Sequence, residues 1–321
     1  MSSITLNQAA ELLLKQDNIV ILSHKNPDGD TVGSAYALLA ALIKLGKKAC
    51  VFCGDAIPDK YSYFTDKIPN TPLKSEDFVV AVDIADENLL GSLFEKYHSK
   101  INLSIDHHKT NKQFAEYTYV NSDAAANTEN IYELINILDV KIDADIASAL
   151  YTGISTDTGC FRYSNTTSNT HLVAAKLMEF NFDRAAIDRL MFETKTKAKL
   201  QLEKVALKNL RLYFDGRCAV TSVKLKDISK AGGTLDDFEG IASIPRTIKG
   251  VMLGITLKEQ KNGSVKVSMR SIEPVDAAAI CAGFGGGGHP RAAGCEICGS
   301  INKAKRLVLL KVQDYLLQQK L

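Results

Sequence analysis

The sequence predicts an α/β fold, with a parallel sheet in the first domain and a smaller α+β C-terminal domain joined to it by a helical connector. Three observations carry this. Short apolar runs alternate with helical patterns over the first two-thirds of the chain, as in a doubly wound domain. Several of those runs are apolar at nearly every position, as strands covered on both faces are. Near residue 195 the character changes to a lysine-rich helix followed by strands set between turn signals.

In chain order, Asn18 to Ser23 (NIVILS) reads as the first buried strand. Val32 to Leu45 has helical spacing, with Gly46 placed to close it. Lys48 to Phe52, Phe78 to Val82 and Ile101 to Ile105 are further strands of the same kind. Asn127 to Leu138, Ala144 to Tyr151 and Asn169 to Phe180 repeat their apolar residues at helical intervals. Thr194 to Leu210 is an amphipathic helix whose lysines form a solvated face. Cys218 to Val223, Met252 to Leu257 and Val265 to Arg270 follow as strands, with Asn262-Gly263 as a hairpin turn. A helix from Asn302 to Gln318 ends the pattern. The expected domains are 1–190, a connector at 191–210, and 211–321.

Composition narrows the function. The 321 residues suit two domains of about 100–200 residues each. Lys and Arg number 39 against 37 Asp and Glu, a net charge of +2. That balance argues against holding long nucleic acids by bulk electrostatics, so the anion handled is small and locally gripped. The longest apolar run, Ala35 to Ile43, is far shorter than the roughly twenty residues of a membrane span, so no membrane partner is expected. The N-terminus lacks a basic region and a small-residue cleavage site, and seven cysteines without scaffold spacing fit a reducing compartment. A cytoplasmic location is expected. Cys50-x-x-Cys53 and Cys295-x-x-Cys298 have zinc-type spacing, but Cys50 to Cys53 reads better as part of a buried strand.

Four clusters of metal-type side chains are expected at strand ends, where open α/β sheets place their ligands. His24-Lys25-Asn26-Pro27-Asp28-Gly29-Asp30 follows NIVILS, and Asp83-Ile84-Ala85-Asp86 follows FVVAV. Asp106-His107-His108 follows INLSI, and Thr156-Asp157-Thr158-Gly159 follows the apolar stretch Ala147 to Ile154. One Asp in such a place is ordinarily a turn former or helix cap, and Asp86 fits that description. Four clusters are harder to explain as caps. Carboxylates crowded together repel unless a cation neutralises them, and mixed His and carboxylate donors suit a divalent ion such as manganese. The donors suffice for two ions, the arrangement that activates water in phosphoryl-transfer hydrolases. Of six histidines, four fall in candidate motifs, while His98 and His171 lie in polar helical contexts and are expected at the surface.

HKNPDGD, VDIAD, DHH and TDTG, in that order, resemble the four motifs of the DHH phosphoesterase superfamily. GGGGHPRAAG, from Gly285 to Gly294, is similar to the motif of the DHH-associated C-terminal domain. Within the superfamily the chain resembles the short nanoRNase and 3′,5′-bisphosphate nucleotidase type. The resemblance implies one ion held by His24, Asp28 and Asp83, and a second held by Asp30, Asp83, His107 and Asp157, with Asp83 shared. It implies manganese at both, with magnesium or cobalt as substitutes. It further implies that His108 faces the substrate phosphate or its leaving oxygen and that Asp106 orients the histidines from behind.

Gly283, Gly285 and Gly288 match the spacing of a dinucleotide-binding loop, but His289-Pro290 follows at once and no βαβ unit surrounds the match. Consecutive glycines instead let backbone N–H groups approach an anion, so Gly286, Gly287 and Gly288, with His289 and Arg291 as side-chain donors, are expected to bind substrate. Arg270 joins them by family resemblance, while taken alone it is equally a surface charge on a strand. Phe161-Arg162-Tyr163 and Phe284 are weaker candidates for base stacking.

The combined reading is a metal-dependent phosphoesterase acting on short oligoribonucleotides, linear dinucleotides and 3′-phosphoadenosine 5′-phosphate (PAP). Its partners are those nucleotides, and a homodimer is left open. Two alternatives stand beside it: hydrolysis of pyrophosphate or polyphosphate on the same centre, and non-catalytic nucleotide sensing.

Overall fold

A computed structural model describes residues 2–233, 236–238 and 240–319. The chain divides into two compact units, Met1–Thr194 and Lys195–Leu321. The division falls inside the segment expected as a connector. The helix Lys197–Asn209 packs within the second unit, where Leu202 and Ala206 join Val223 and Ile241 in a small core.

Among the described residues the first unit builds a six-stranded parallel sheet. Its strands are β1 (Ser2–Ser3), β2 (Ile19–Ser23), β3 (Ala49–Cys53), β4 (Phe78–Val82), β5 (Leu103–Asp106) and β6 (Tyr117–Val120), in the order β1-β6-β5-β4-β2-β3. β2 and β4 are buried at every position, because alternate side chains enter cores on opposite faces. Ile19, Ile21, Val80 and Val82 join one core; Val20, Leu22, Val79 and Ala81 join the other. This explains why the strands are continuously apolar in sequence.

Among the elements of the first unit that escaped the sequence pattern are one helix and one strand of the sheet. The helix Leu6–Lys15 is capped by Thr5, whose hydroxyl accepts from the N–H of Gln8. β6 is a short strand with a half-buried surface, and its mixed sequence YTYV carries little signal. The strand expected at 101–105 is observed at Leu103–Asp106 and includes the first residue of the DHH motif. The helix expected at Ala144–Tyr151 runs on to Asp157. The TDTG cluster therefore stands at a helix C-terminus, which corrects the expectation that all four clusters follow strands.

The second unit holds a mixed sheet of β7 (Arg211–Tyr213), β8 (Cys218–Val223), β9 (Leu253–Glu259), β10 (Ser264–Ser271), β11 (Gly287–His289) and β12 (Ala292–Cys298), in the order β11-β12-β10-β9-β8-β7. Only β8 and β9 run parallel among its pairs. One face packs Val265, Val267, Met269 and Ile255 against Val308 and Val312 of the terminal helix Ile301–Gln318. Cys50 and Cys53 lie on β3, Cys295 and Cys298 on β12, and no described group of metal-type donors includes a cysteine. No described helix is long and apolar enough to cross a membrane.

Candidate metal centre

The carboxyl ends of β2, β4 and β5 deliver His24, Asp83 and Asp106-His107-His108 to one place. Asp28 and Asp30 come from the start of the helix Gly29–Lys44, and Asp157 from the end of the helix Ala144–Asp157. Asp28 is both cap and candidate ligand. Its Oδ1 accepts the N–H groups of Asp30 and Thr31 at 3.0 and 3.1 Å, while Oδ2 lies 3.8 Å from His24 Nε2.

Asp83 sits at the centre. Its backbone is left-handed (φ 58°), a conformation that Asp tolerates better than most residues, and its carboxylate is buried. Oδ2 lies 3.7 Å from His24 Nε2, and Oδ1 lies 3.5 Å from His107 Nε2 and 3.6 Å from His108 Nδ1. Oδ1 has no hydrogen-bond partner. His107 Nε2 also faces Asp30 Oδ2 at 3.7 Å and Asp157 Oδ2 at 3.6 Å. Donor atoms within 4.8 Å of one another form three groups among the described residues: His24, Asp28 and Asp83; Asp30, His107 and Asp157; and Asp83, His107 and His108.

The remaining contacts fix how these donors point. His24 Nδ1 lies 2.8 Å from the Lys25 carbonyl and His107 Nδ1 lies 3.2 Å from that of Ala124. Each Nδ1–H therefore donates to backbone, which leaves Nε2 facing the carboxylates. His108 differs, because its Nδ1 donates to Asp106 Oδ1 at 2.8 Å. Asp106 is held in turn by Asn111, whose amide donates to Oδ2 at 2.6 Å.

Asp30 is fully enclosed. Its carboxylate accepts the N–H groups of Asn127 and Thr128 and the Thr128 hydroxyl at 2.6, 2.9 and 2.8 Å, which caps the helix Asn127–Ile137 from outside. A Cβ at Gly153 would lie 2.7 Å from Asp30 Oδ1 and 2.4 Å from Thr128, so only glycine fits beneath this carboxylate. Buried Glu129 accepts from the Thr170 hydroxyl and the Ala125 N–H, and Asn165 donates to the Ala125 and Asp157 carbonyls, tying the 124–126 loop in place.

The charges are mutually opposed. Burial and the carboxylate of Asp83 push Asp28 and Asp30 upward, and push Asp157 to about 7. Burial disfavours charge on His24 and His107, yet Asp83 and the neighbouring carboxylates hold them at about 9 and about 10. Burial also opposes charge on Asp83, but the two imidazoles bring it down to about 2. Four carboxylates share this small volume, and one oxygen of buried Asp83 lacks a donor. Divalent cations fit this donor set.

The sequence-predicted metal residues thus converge, while Asp86 does not join them. It caps the following turn through the Asn88 N–H at 3.0 Å and pairs with Lys112. Asn111, Asn127, Thr128, Glu129 and Asn165 were missed. The buried polar run NTEN at a helix start was the available signal.

In the second unit, Gly287–His289 forms the edge strand β11 beside β12. A Cβ at Gly286 would lie 2.3 Å from the Gly294 carbonyl, and one at Gly288 would lie 2.6 Å from that of Ala292. These two glycines are therefore required by strand packing, which qualifies the expectation that the run serves an anion alone; Gly287 has open space around its α-carbon. Arg270 and His289 share one transverse row through Ala292. Arg291 turns elsewhere, donating to the Val275 carbonyl at 2.7 Å and pairing with Glu273 at 2.9 Å. Phe161 and Phe284 pack against cores, whereas Tyr163 is exposed.

A donor-rich centre at the carboxyl end of a parallel sheet, followed by a separate glycine-rich α+β unit, defines a metal-dependent phosphoesterase of the DHH class. Residues 18–154 match the DHH family N-terminal domain, and residues 215–316 match the DHHA1 domain. The chain belongs to the DHH family. It is 34% identical over 306 residues to the bifunctional oligoribonuclease and PAP phosphatase NrnA of Thermus thermophilus, covering 93% of this chain and 90% of that one. The Bacillus subtilis protein of the same name is 27% identical, with 88% and 90% covered. An exopolyphosphatase-related protein from Bacteroides fragilis superimposes with a TM-score of 0.86 at 26% identity, covering 98% of both chains.

Proposed function

We propose that this protein hydrolyses phosphate esters of short oligoribonucleotides, linear dinucleotides and PAP, using two divalent ions, preferentially manganese. The observation that carries the reading is the unpartnered buried oxygen of Asp83 among histidines and carboxylates. Relatives named for oligoribonuclease and PAP phosphatase activity support the substrate class.

His24, Asp28 and Asp83 would hold one ion; Asp30, Asp83, His107 and Asp157 would hold the other. When bound, such ions lower the pKa of a water and offset the charge that builds on the phosphoryl oxygens. His108 acts on the substrate. With Nδ1 engaged by Asp106, Nε2 is the ring nitrogen left for the substrate, and Asp106 raises the ring's pKa so that Nε2 retains a proton for the leaving oxygen. Arg270, Gly286 to Gly288, His289 and Arg291 hold the rest of the nucleotide, His289 and Arg270 from one row of the sheet.

The test is a product time course with Mn²⁺ on labelled RNA from the dinucleotide upward, with PAP, pyrophosphate and polyphosphate in parallel. Release of mononucleotides from short RNA and of phosphate from PAP is expected. Turnover of pyrophosphate or polyphosphate alone reassigns the enzyme to anhydride hydrolysis.

A further inference from the structure

Four consecutive polar residues, Asn127, Thr128, Glu129 and Asn130, open the helix Asn127–Ile137, and all four are buried. A surface helix ordinarily buries one stripe and keeps its polar face wet, so a whole turn of buried polar side chains needs a partner for each. Three of them bond to elements that carry the metal donors. Asn127 donates to the Ser34 hydroxyl at 3.1 Å, Thr128 to Asp30 at 2.8 Å, and Asn130 to the Asp106 carbonyl at 3.3 Å.

Glu129 touches none of those donors. It occupies the third helical position, where the acid of a capping box accepts the N–H of the cap residue. The cap here is Ala126, which has no side chain to return the bond, and Glu129 reaches one residue further back, to the Ala125 N–H at 3.3 Å. Its carboxylate also accepts the Thr170 hydroxyl at 2.8 Å and the Asn169 amide at 3.0 Å, both from the helix Ser168–Leu177. All three donors are neutral. Burying a carboxylate on such partners is costly, and a helix cap alone does not require it.

The segment it holds, 124–128, serves one of the donor groups and not the other. The Ala124 carbonyl accepts from His107 Nδ1, and the Ala125 carbonyl shares the Asn165 amide with that of Asp157. The N–H groups of Asn127 and Thr128 hold the Asp30 carboxylate. Asp30, His107 and Asp157 form one group of converging donors. The group of His24, Asp28 and Asp83 is held by other means. His24 Nδ1 donates to the carbonyl of its own neighbour Lys25, and Asp28 accepts from the N–H groups of Asp30 and Thr31.

We propose that Glu129 is a positioning residue for one ion of the pair, the one that Asp30, His107 and Asp157 would hold, and that it sets the affinity for that ion by fixing the 124–128 segment. The proposal rests on the two-ion reading above. A displaced segment withdraws the carbonyl that orients the His107 ring and selects its tautomer, and loosens the amides that aim Asp30. The donors around His24 keep their own supports, so the two ions respond differently to the loss of Glu129.

The test titrates Mn²⁺ into full-length wild type, Glu129→Gln, Thr170→Val and Thr170→Ser, read by calorimetry and electron paramagnetic resonance, with the Tm of each chelated protein alongside. Wild type should bind two ions and, when loaded, give the spectrum of a coupled pair. Glu129→Gln keeps the shape but turns an amide toward a donor. It should bind one ion as wild type does and the second about ten- to hundredfold more weakly, as the loss of a ligand's support does. At Mn²⁺ concentrations that saturate wild type it should show the six-line spectrum of a single ion, and excess Mn²⁺ should restore turnover of PAP. Thr170→Val removes a donor to Glu129 and should weaken the same ion, whereas Thr170→Ser keeps the hydroxyl and should not. A lowered Tm with both ions bound as in wild type makes Glu129 a helix cap and overturns the proposal, as does equal weakening of both ions. If Glu129→Gln does not fold, the two Thr170 variants decide by the same criteria. A wild type that binds fewer than two ions overturns the two-ion reading instead.

Discussion

Asp83 concentrates the chemistry of the first unit in one side chain. Its backbone is left-handed, and its two oxygens face different imidazoles. Asp83→Asn is the informative variant, because Asn also tolerates this backbone and preserves the shape while removing the charge. It should lower divalent-ion occupancy at both positions and abolish turnover with the fold intact, read by elemental analysis and circular dichroism. Retention of two ions per chain would refute the shared-ligand role. Asn111 acts one step further out, by holding Asp106 against His108. Asn111→Ala should reduce kcat by about ten- to hundredfold, as loss of a partner that orients a working group typically does. The ions should remain bound, because no metal donor touches Asn111. Loss of metal together with activity would assign Asn111 a structural role.

The β11–β12 hairpin gains its shape from glycines pressed against the opposite backbone and from Arg291 tying its turn to Val275 and Glu273. If Arg291 also grips phosphate, as proposed, Arg291→Ala should raise KM for dinucleotides and PAP by about ten- to hundredfold, the worth of a charged hydrogen bond to phosphate, while leaving a minimal chromogenic phosphodiester unaffected. If the ratio of kcat/KM on dinucleotide to that on the minimal ester does not fall, Arg291 only braces the hairpin. The same elements show what was legible in the sequence. Apolar runs such as FVVAV announced buried strands directly, because both sheet faces are covered. The candidate metal residues were legible because four short motifs each end an apolar element. The double duty of Gly286 and Gly288 was not, because the approach of β12 is set by tertiary packing. Nor was the cap that Asp30 provides to the helix Asn127–Ile137, since those residues lie far apart in sequence and only the fold brings them together. The cluster holding Asp157 was expected at a strand end and stands at a helix C-terminus, because an apolar helix segment and a buried strand look alike over a few residues.

At the scale of the whole molecule the metal centre makes stability depend on pH, and the sign can be worked out. Asp157 is raised from 3.8 to about 7, His24 from 6.5 to about 9, and His107 from 6.5 to about 10. Each binds its proton more tightly folded than unfolded, so each stabilises the metal-free protein below its ordinary value. That contribution is lost as pH rises through the folded value. Asp83, brought down to about 2, acts in the opposite sense, but only below 3.8. Between about pH 4 and 10 the three raised groups therefore dominate, and the chelated protein should melt at progressively lower temperature as pH increases. Cation binding reverses the trend, because the same imidazoles and carboxylates must give up their protons to ligate. The rise in Tm produced by a fixed excess of Mn²⁺ should accordingly grow with pH, with protons released on binding. Scanning calorimetry of chelated and Mn²⁺-loaded protein at about pH 6, 7.5 and 9 measures both slopes. If the chelated Tm does not fall over that range, or the Mn²⁺ increment stays constant, the ions do not displace protons from these residues, and the assignment of His24, His107 and Asp157 as ligands fails.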